Sequence, residues 1–200
     1  MNLKVKNYQD ILKTIFDYLI SIFCLILLIP VIVILAVLIK STGKGPVIFS
    51  QKRIGRDGKP FVIYKFRSMH FGNDEGILLI SGREDERITS LGRFMRKHKF
   101  DEIPNFINVL KGEMSIIGPR PEQQFYIDQI VQREPRYKQL QLIKPGITSW
   151  GQVMYGYASN VDEMIKRMEY DLFYLENRSF LFDLKITMRT FSLILKGQGI

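Results

Sequence analysis

Residues 18–39 run without a single charge, and nearly every side chain among them is apolar. About 20 such residues in a helix rising ~1.5 Å each cross the hydrocarbon core of a bilayer. A helix apolar on every side has no polar face to turn toward water. Residues 8–39 are therefore expected to form one helical membrane element. Asp17 abuts the run and no small-residue cleavage site follows it, which argues against a cleaved signal peptide. Pro30 lacks an N–H, and its ring clashes with the carbonyl of residue 26, so a kink or break is expected there.

Beyond residue 44 the pattern changes. A turn-rich stretch at 41–46 precedes two alternating segments, 47–50 and 61–66, which read as strands joined through Gly55-Arg56-Asp57-Gly58. Residues 71–86 are polar and glycine-containing, a loop. Residues 90–97 suit a short basic helix, and 101–111 a second helix stopped by Gly112. Gly118-Pro119-Arg120-Pro121 is a stiff turn. Helices are expected at 122–134, 161–176 and 179–196, and a turn at 144–148 leads into a short strand through Val153. The last helix suits either a core position or the plane of a membrane interface. The fold class is α+β: a membrane-inserted element at 1–44, then a second domain at 45–200 with a small β-sheet and interfacial helices.

Charge sharpens the membrane reading. Lys4, Lys6 and Lys13 precede the apolar run; Lys40, Lys44, Lys52, Arg53 and Arg56 follow it. Lys and Arg mark the cytoplasmic side, and here both flanks carry them. A hairpin bent at Pro30 keeps both on one face, whereas a kinked single-pass helix separates them. The net charge of +9 and pI of 9.6 imply anionic partners: lipid headgroups, nucleic acid or phosphorylated small molecules. Cys24 is the one cysteine, so neither a disulfide nor a cysteine metal site is available. His70 and His98 are too few and too far apart for zinc and read as surface residues.

The densest candidate chemistry lies between Arg93 and Arg120. Asp101 and Glu102 are adjacent, with Arg93, Arg96, Lys97 and Lys99 before them and Arg120 after. Two readings fit. Adjacent carboxylates converge at a helix N-terminus, where Pro104 is tolerated and free N–H groups favour phosphate; or Asp101 is a helix cap and Glu102 a first-turn charge. A second cluster is Lys65-Phe66-Arg67-Ser68. On a strand Lys65 and Arg67 share a face, able to grip a phosphate or merely to guard a solvated edge.

Four stretches, FSQKRIGRDGKPFVIYKFRSM, DEIPNFINVLKGEMSIIGPRP, KPGITSWGQV and YDLFYLENRSFLFDLKI, resemble the bacterial sugar transferases in that family's order and spacing. These are monotopic phosphoglycosyl transferases, and the resemblance runs from Ile15 onward, to the small form of the family. It implies transfer of a sugar 1-phosphate from a UDP-sugar to polyprenol phosphate, with release of UMP, on the cytoplasmic face of the bacterial inner membrane. It implies Asp101 as nucleophile, forming a covalent phosphosugar-enzyme. Mg²⁺ would sit beside Asp101 and Glu102, Arg96 and Arg120 would bind phosphate, and the membrane helix would be re-entrant. Three departures stand out: Ile29 where the family usually has serine before the membrane proline, Ser149 after Thr148 where glycine is common, and Glu113 where aspartate is commoner. The other function classes are a non-catalytic membrane scaffold and a membrane-anchored nucleic-acid binder. Neither has a use for two carboxylates inside a basic patch, so nucleic acid is not expected as a partner.

Overall fold

A computed structural model describes residues 10–72 and 85–197. Most of the polar loop expected at 71–86, together with Lys4 and Lys6, lies outside the described residues. The chain opens with two helices, α1 (Asp10–Leu27) and α2 (Ile29–Ser41), bent by 62° at Leu28. No single described helix is long and apolar enough to cross a membrane, but the bent pair together is, by length and composition. The break falls two residues before Pro30, which sits in the first turn of α2, where a missing N–H costs least. Hydrogen bonds run up to the break on both sides, Leu28 N–H to Cys24 and Ile32 N–H to the Leu28 carbonyl.

An antiparallel hairpin follows, β1 (Ile48–Ile54) and β2 (Pro60–Phe66), closed by a 3₁₀ turn at Arg56–Gly58. Then come α3 (Ser90–Lys97), a 3₁₀ turn at Phe100–Glu102, and α4 (Asn105–Leu110). Strands β3 (Ser115–Ile117) and β4 (Gly146–Thr148) pair in parallel around α5 (Gln124–Arg133) and a 3₁₀ helix at Pro135–Leu142. The chain continues through α6 (Trp150–Met154), α7 (Val161–Asn177) and α8 (Phe180–Leu195).

The α+β class holds, but with two two-stranded sheets where the sequence suggested one. The segment expected to run as a strand through Val153 is helical instead. Ser149 accepts the Gln152 N–H at 3.0 Å and starts α6 at Trp150.

Three apolar clusters hold the body together. The largest packs α5, α7 and α8 through Ile130, Met168, Leu175 and Ile186. A second ties α2 to β2 and α3 through Leu35, Ile39, Phe66 and Met95, and a third joins β2 to α4 through Ile63 and Val109. α8 buries one stripe, Asp183 and Ile186, and leaves Leu181, Leu184, Met188, Phe191 and Leu195 exposed. That uncovered face continues onto α1 where Phe16 meets Phe180, ring centroids 6.0 Å apart.

Both ends of the α1–α2 pair are fastened to the body. At the start, Lys13 pairs with Asp183 of α8 at 2.8 Å, and Asp17 accepts the Ser115 hydroxyl at 2.6 Å. At the end, the Arg67 guanidinium donates to the carbonyls of Ile39, Gly43 and Lys44 at 2.7–3.2 Å. A guanidinium there adds charged donors at one carbonyl in the last turn of α2 and at two in the turn beyond it.

Candidate active site

The dyad is placed by a left-handed residue. Lys99 has φ of +56°, an unfavourable conformation for a long side chain, and it turns the chain from α3 into the tight Phe100–Glu102 turn. Strain of this kind, ~1–3 kcal/mol, persists where the surroundings over-determine it, and it clusters at functional sites. The turn puts both carboxylates against one cavity of about 470 Å³. The helix expected from Asp101 begins instead at Asn105, so the dyad precedes α4 and Asp101 does not cap it.

Two glycines bring the walls of the cavity together. A Cβ on Gly92 of α3 would lie 2.0 Å from the Ser68 carbonyl, so only glycine lets α3 pack on the end of the hairpin. That contact sets Arg96, whose Nε donates to Ser68 Oγ at 2.9 Å, on the cavity wall. A Cβ on Gly146 would lie 2.1 Å from Gly118 N; its absence lets β3 and β4 close and aims the Gly118–Pro121 turn, with Arg120, at the dyad.

Glu102 is buried and held by three cations: Lys65 Nζ at 2.6 Å from Oε1, Arg120 Nη1 at 3.6 Å from Oε1, and Lys99 Nζ at 3.6 Å from Oε2. Burial alone would raise its pKa, but Lys65, Lys99 and Arg120 outweigh burial and hold it well below the usual carboxylate range. Asp101 is the opposite case. Burial pushes its pKa up, with Lys65 opposing and the charge on Glu102 adding to the rise. Among the described residues its carboxylate makes no hydrogen bond or salt bridge, and it faces the cavity. One carboxylate is thus clamped as an anion and its neighbour is left open to a ligand.

Of the residues picked from sequence, Lys65, Arg67, Arg96, Asp101, Glu102 and Arg120 all line this cavity. Arg67 also bonds to backbone beside the cavity. It lies just past the end of β2, and its guanidinium donates to the Ile39 carbonyl near the end of α2. Sequence reasoning missed a second polar group on the wall. Glu122 is buried between Arg53 Nη1 at 3.3 Å and Arg167 Nη2 at 2.5 Å. The three lie far apart in the chain, and no local pattern links them. Three carboxylates, Asp101, Glu102 and Glu122, are outnumbered around the cavity by Lys and Arg, so its preferred contents are anionic.

A model of the family described as bacterial sugar transferase matches residues 8–197. The chain belongs to the bacterial sugar transferase family. It is similar to a UDP-N-acetylgalactosamine-undecaprenyl-phosphate N-acetylgalactosaminephosphotransferase of Aeromonas hydrophila, 40% identical over 183 residues, 92% of this chain and 43% of that protein. It is equally similar to a UDP-glucose:undecaprenyl-phosphate glucose-1-phosphate transferase of Escherichia coli, 40% identical over 188 residues, covering 93% and 40% of the two. A Bacillus subtilis protein described as uncharacterized sugar transferase EpsL is 38% identical over 191 residues, 95% of this chain and 90% of that one. The chain therefore spans about two fifths of the length of the first two relatives and most of the third.

Proposed function

We propose that this chain is a phosphoglycosyl transferase that moves a sugar 1-phosphate from a UDP-sugar to polyprenol phosphate at a cytoplasmic membrane face. The observation that carries the reading is the division of labour in the dyad: Glu102 is clamped by three cations, and Asp101 is open to a cavity rich in Lys and Arg. Relatives whose names specify this reaction, at 40% identity over nine tenths of the chain, support the same reading.

Asp101 attacks the sugar-bearing phosphorus of the donor. A carboxylate oxygen–phosphorus bond forms, the bond to the bridging oxygen breaks, and UMP leaves with the electron pair. An oxygen of polyprenol phosphate then attacks the same phosphorus and displaces the carboxylate, which restores Asp101. A carboxylate approaching a diphosphate meets strong repulsion, which Lys65, Arg96 and Arg120 offset. Covalent transfer also lets one site take a soluble and a lipid-bound substrate in turn.

The residues present fit a divalent cation. Asp101 and Glu102 offer oxygen donors side by side, and the buried Oε2 of Glu102 has no hydrogen-bond partner. Mg²⁺ takes one or two carboxylates plus substrate phosphates and water. Asp101 and Glu102 would hold it, and it would supply charge neutralisation at the diphosphate.

The membrane arrangement we propose is re-entrant. The apolar α1–α2 pair is tied to the same body at its start, through Lys13 and Asp17, and at its end, through Arg67. A straight crossing would carry one of those attachments to the far side. The uncovered apolar face of α8 then lies at the interface beside it.

The test is an intact-mass measurement. Given a UDP-sugar and Mg²⁺ without lipid acceptor, the protein gains one phosphosugar, mapping to Asp101 and lost when polyprenol phosphate is added. Asp101→Asn forms no adduct and loses turnover. UMP release that requires both substrates at once, with no adduct, would refute the covalent route.

A further inference from the structure

Asn108 lies in α4, is fully buried, and does not line the cavity. Strand β2 is covered by β1 on one edge only. On its other edge the N–H of Tyr64 and the carbonyl of Val62 have no strand to pair with. The Asn108 side chain supplies both partners: Oδ1 accepts from Tyr64 N at 3.1 Å, and Nδ2 donates to Val62 O at 2.6 Å. One amide thus meets the strand as a neighbouring peptide unit would. The second proton of Nδ2 goes to Glu113 Oε2 at 2.7 Å, and the Asn108 carbonyl accepts the N–H groups of Glu113 and Met114. These partners fix the amide's orientation. Flipped, it would set N–H against N–H at Tyr64, and oxygen against oxygen at Val62 and Glu113.

The position of this clamp gives it a consequence for the cavity. Tyr64 directly precedes Lys65 on β2, and Glu102 lies six residues before Asn108. The strand step and the 102–108 segment form a frame closed at one end by the Asn108 bonds and at the other by the 2.6 Å contact of Lys65 with Glu102. We propose that Asn108 is a positioning residue: by acting as a one-amide third strand on β2, it fixes Lys65 against Glu102. Its effect on turnover rests on the transfer reaction proposed above, whereas its effect on Lys65 does not.

The experiment uses the full chain in lipid nanodiscs, with Asn108→Ala, Lys65→Met, the double variant, and Ile130→Ala as a destabilised control. Ile130 is fully buried in the largest apolar cluster, on α5, and does not line the cavity. The first readout is the rate at which an amine-reactive ester acylates Lys65 under native conditions, read by peptide mass spectrometry. Asn108→Ala raises it several-fold; Ile130→Ala does not. The second readout is UMP release. Asn108→Ala lowers kcat by ~10–100-fold, as misplacement of about 1 Å does, with a much smaller change in KM for the UDP-sugar. In the Lys65→Met background the same substitution adds little, because coupled residues are not additive. Asn108→Asp does not rescue, since a carboxylate cannot donate to Val62. Lys65 labelling no faster than in the control, or a fully additive double variant, overturns the proposal. If the wild type releases UMP from no UDP-sugar, the transfer reading fails, and Lys65 labelling alone still decides the role of Asn108.

Discussion

Asp171 makes the stability of this protein depend on pH in the direction opposite to an ordinary ion-paired carboxylate. The side chain is 3% exposed on α7 and accepts the Gly151 N–H at 2.7 Å. The Ser149 hydroxyl and the backbone N–H of Arg120 also donate to it. Burial outweighs these donors and the nearby Arg167, and lifts its pKa from 3.8 to about 6. Between those two pH values the native state holds a proton that the unfolded chain has released, so stability falls as pH rises. At ~1.4 kcal/mol per unit the difference amounts to about 3 kcal/mol, fully present below pH 3.8 and gone above about pH 6. Asp171→Asn stays neutral throughout and removes this component. Thermal unfolding of both proteins in the same detergent, from pH 4 to 7, isolates it from the other titrating groups. The wild type should lose ~6–12 °C of Tm relative to the variant across that range, taking ~2–4 °C per kcal/mol for a chain of this size. Parallel profiles would refute the argument, because they would mean Asp171 ionises in the fold at no cost. The same substitution sets an amide N–H among groups that donate, so it should loosen the Arg120 peptide and slow transfer.

Three further outcomes follow from the same geometry. Turnover should stop in excess chelator and return with Mg²⁺ or Mn²⁺, both oxygen-preferring ions; full activity without metal would exclude a role for it at Asp101 and Glu102. In a Cys24→Ala background, cysteines placed at Lys6 and Lys44 should react with an impermeant reagent from the same side of the membrane, and labelling from opposite sides would rule out the hairpin. Gly92→Ala should destabilise the protein by about 1–3 kcal/mol, the usual overpacking cost, because its Cβ meets the Ser68 carbonyl at 2.0 Å; an unchanged Tm would show that α3 does not pack there as tightly as described.

Much of the architecture is written in local patterns. Alternation locates the β1–β2 hairpin, Gly112 ends the segment after the dyad with φ of +78°, and the basic helix appears at Ser90–Lys97. What local pattern does not carry is long-range. β3 and β4 are three residues each and exist because Gly118 and Gly146 let two backbones touch. The stretch through Val153 has strand-like side chains, but Ser149 as a cap decides for helix. Its serine signal was present in the sequence and outweighed by β propensity.

The site divides in the same way. Adjacent carboxylates and flanking cations are visible in the letters, and so is their suitability for a diphosphate. Their convergence depends on Lys99 holding a positive φ, a conformation that nothing about a lysine announces. Arg67 shares the cavity wall with Lys65, and its guanidinium also holds the carbonyls of Ile39, Gly43 and Lys44 at and just past the end of α2, a role its spacing did not announce. Those bonds give the residue a structural task. With Lys13 and Asp17 at the other end of the pair, Arg67 returns the apolar hairpin to the body that carries the dyad. Glu113, a departure from the family pattern with no evident reason in sequence, meets Asn108 behind the strand that presents Lys65. Lys65 and Glu102 are thus held from behind by Asn108 and Glu113, polar groups that do not line the cavity. Substitutions there should alter rate before they alter fold.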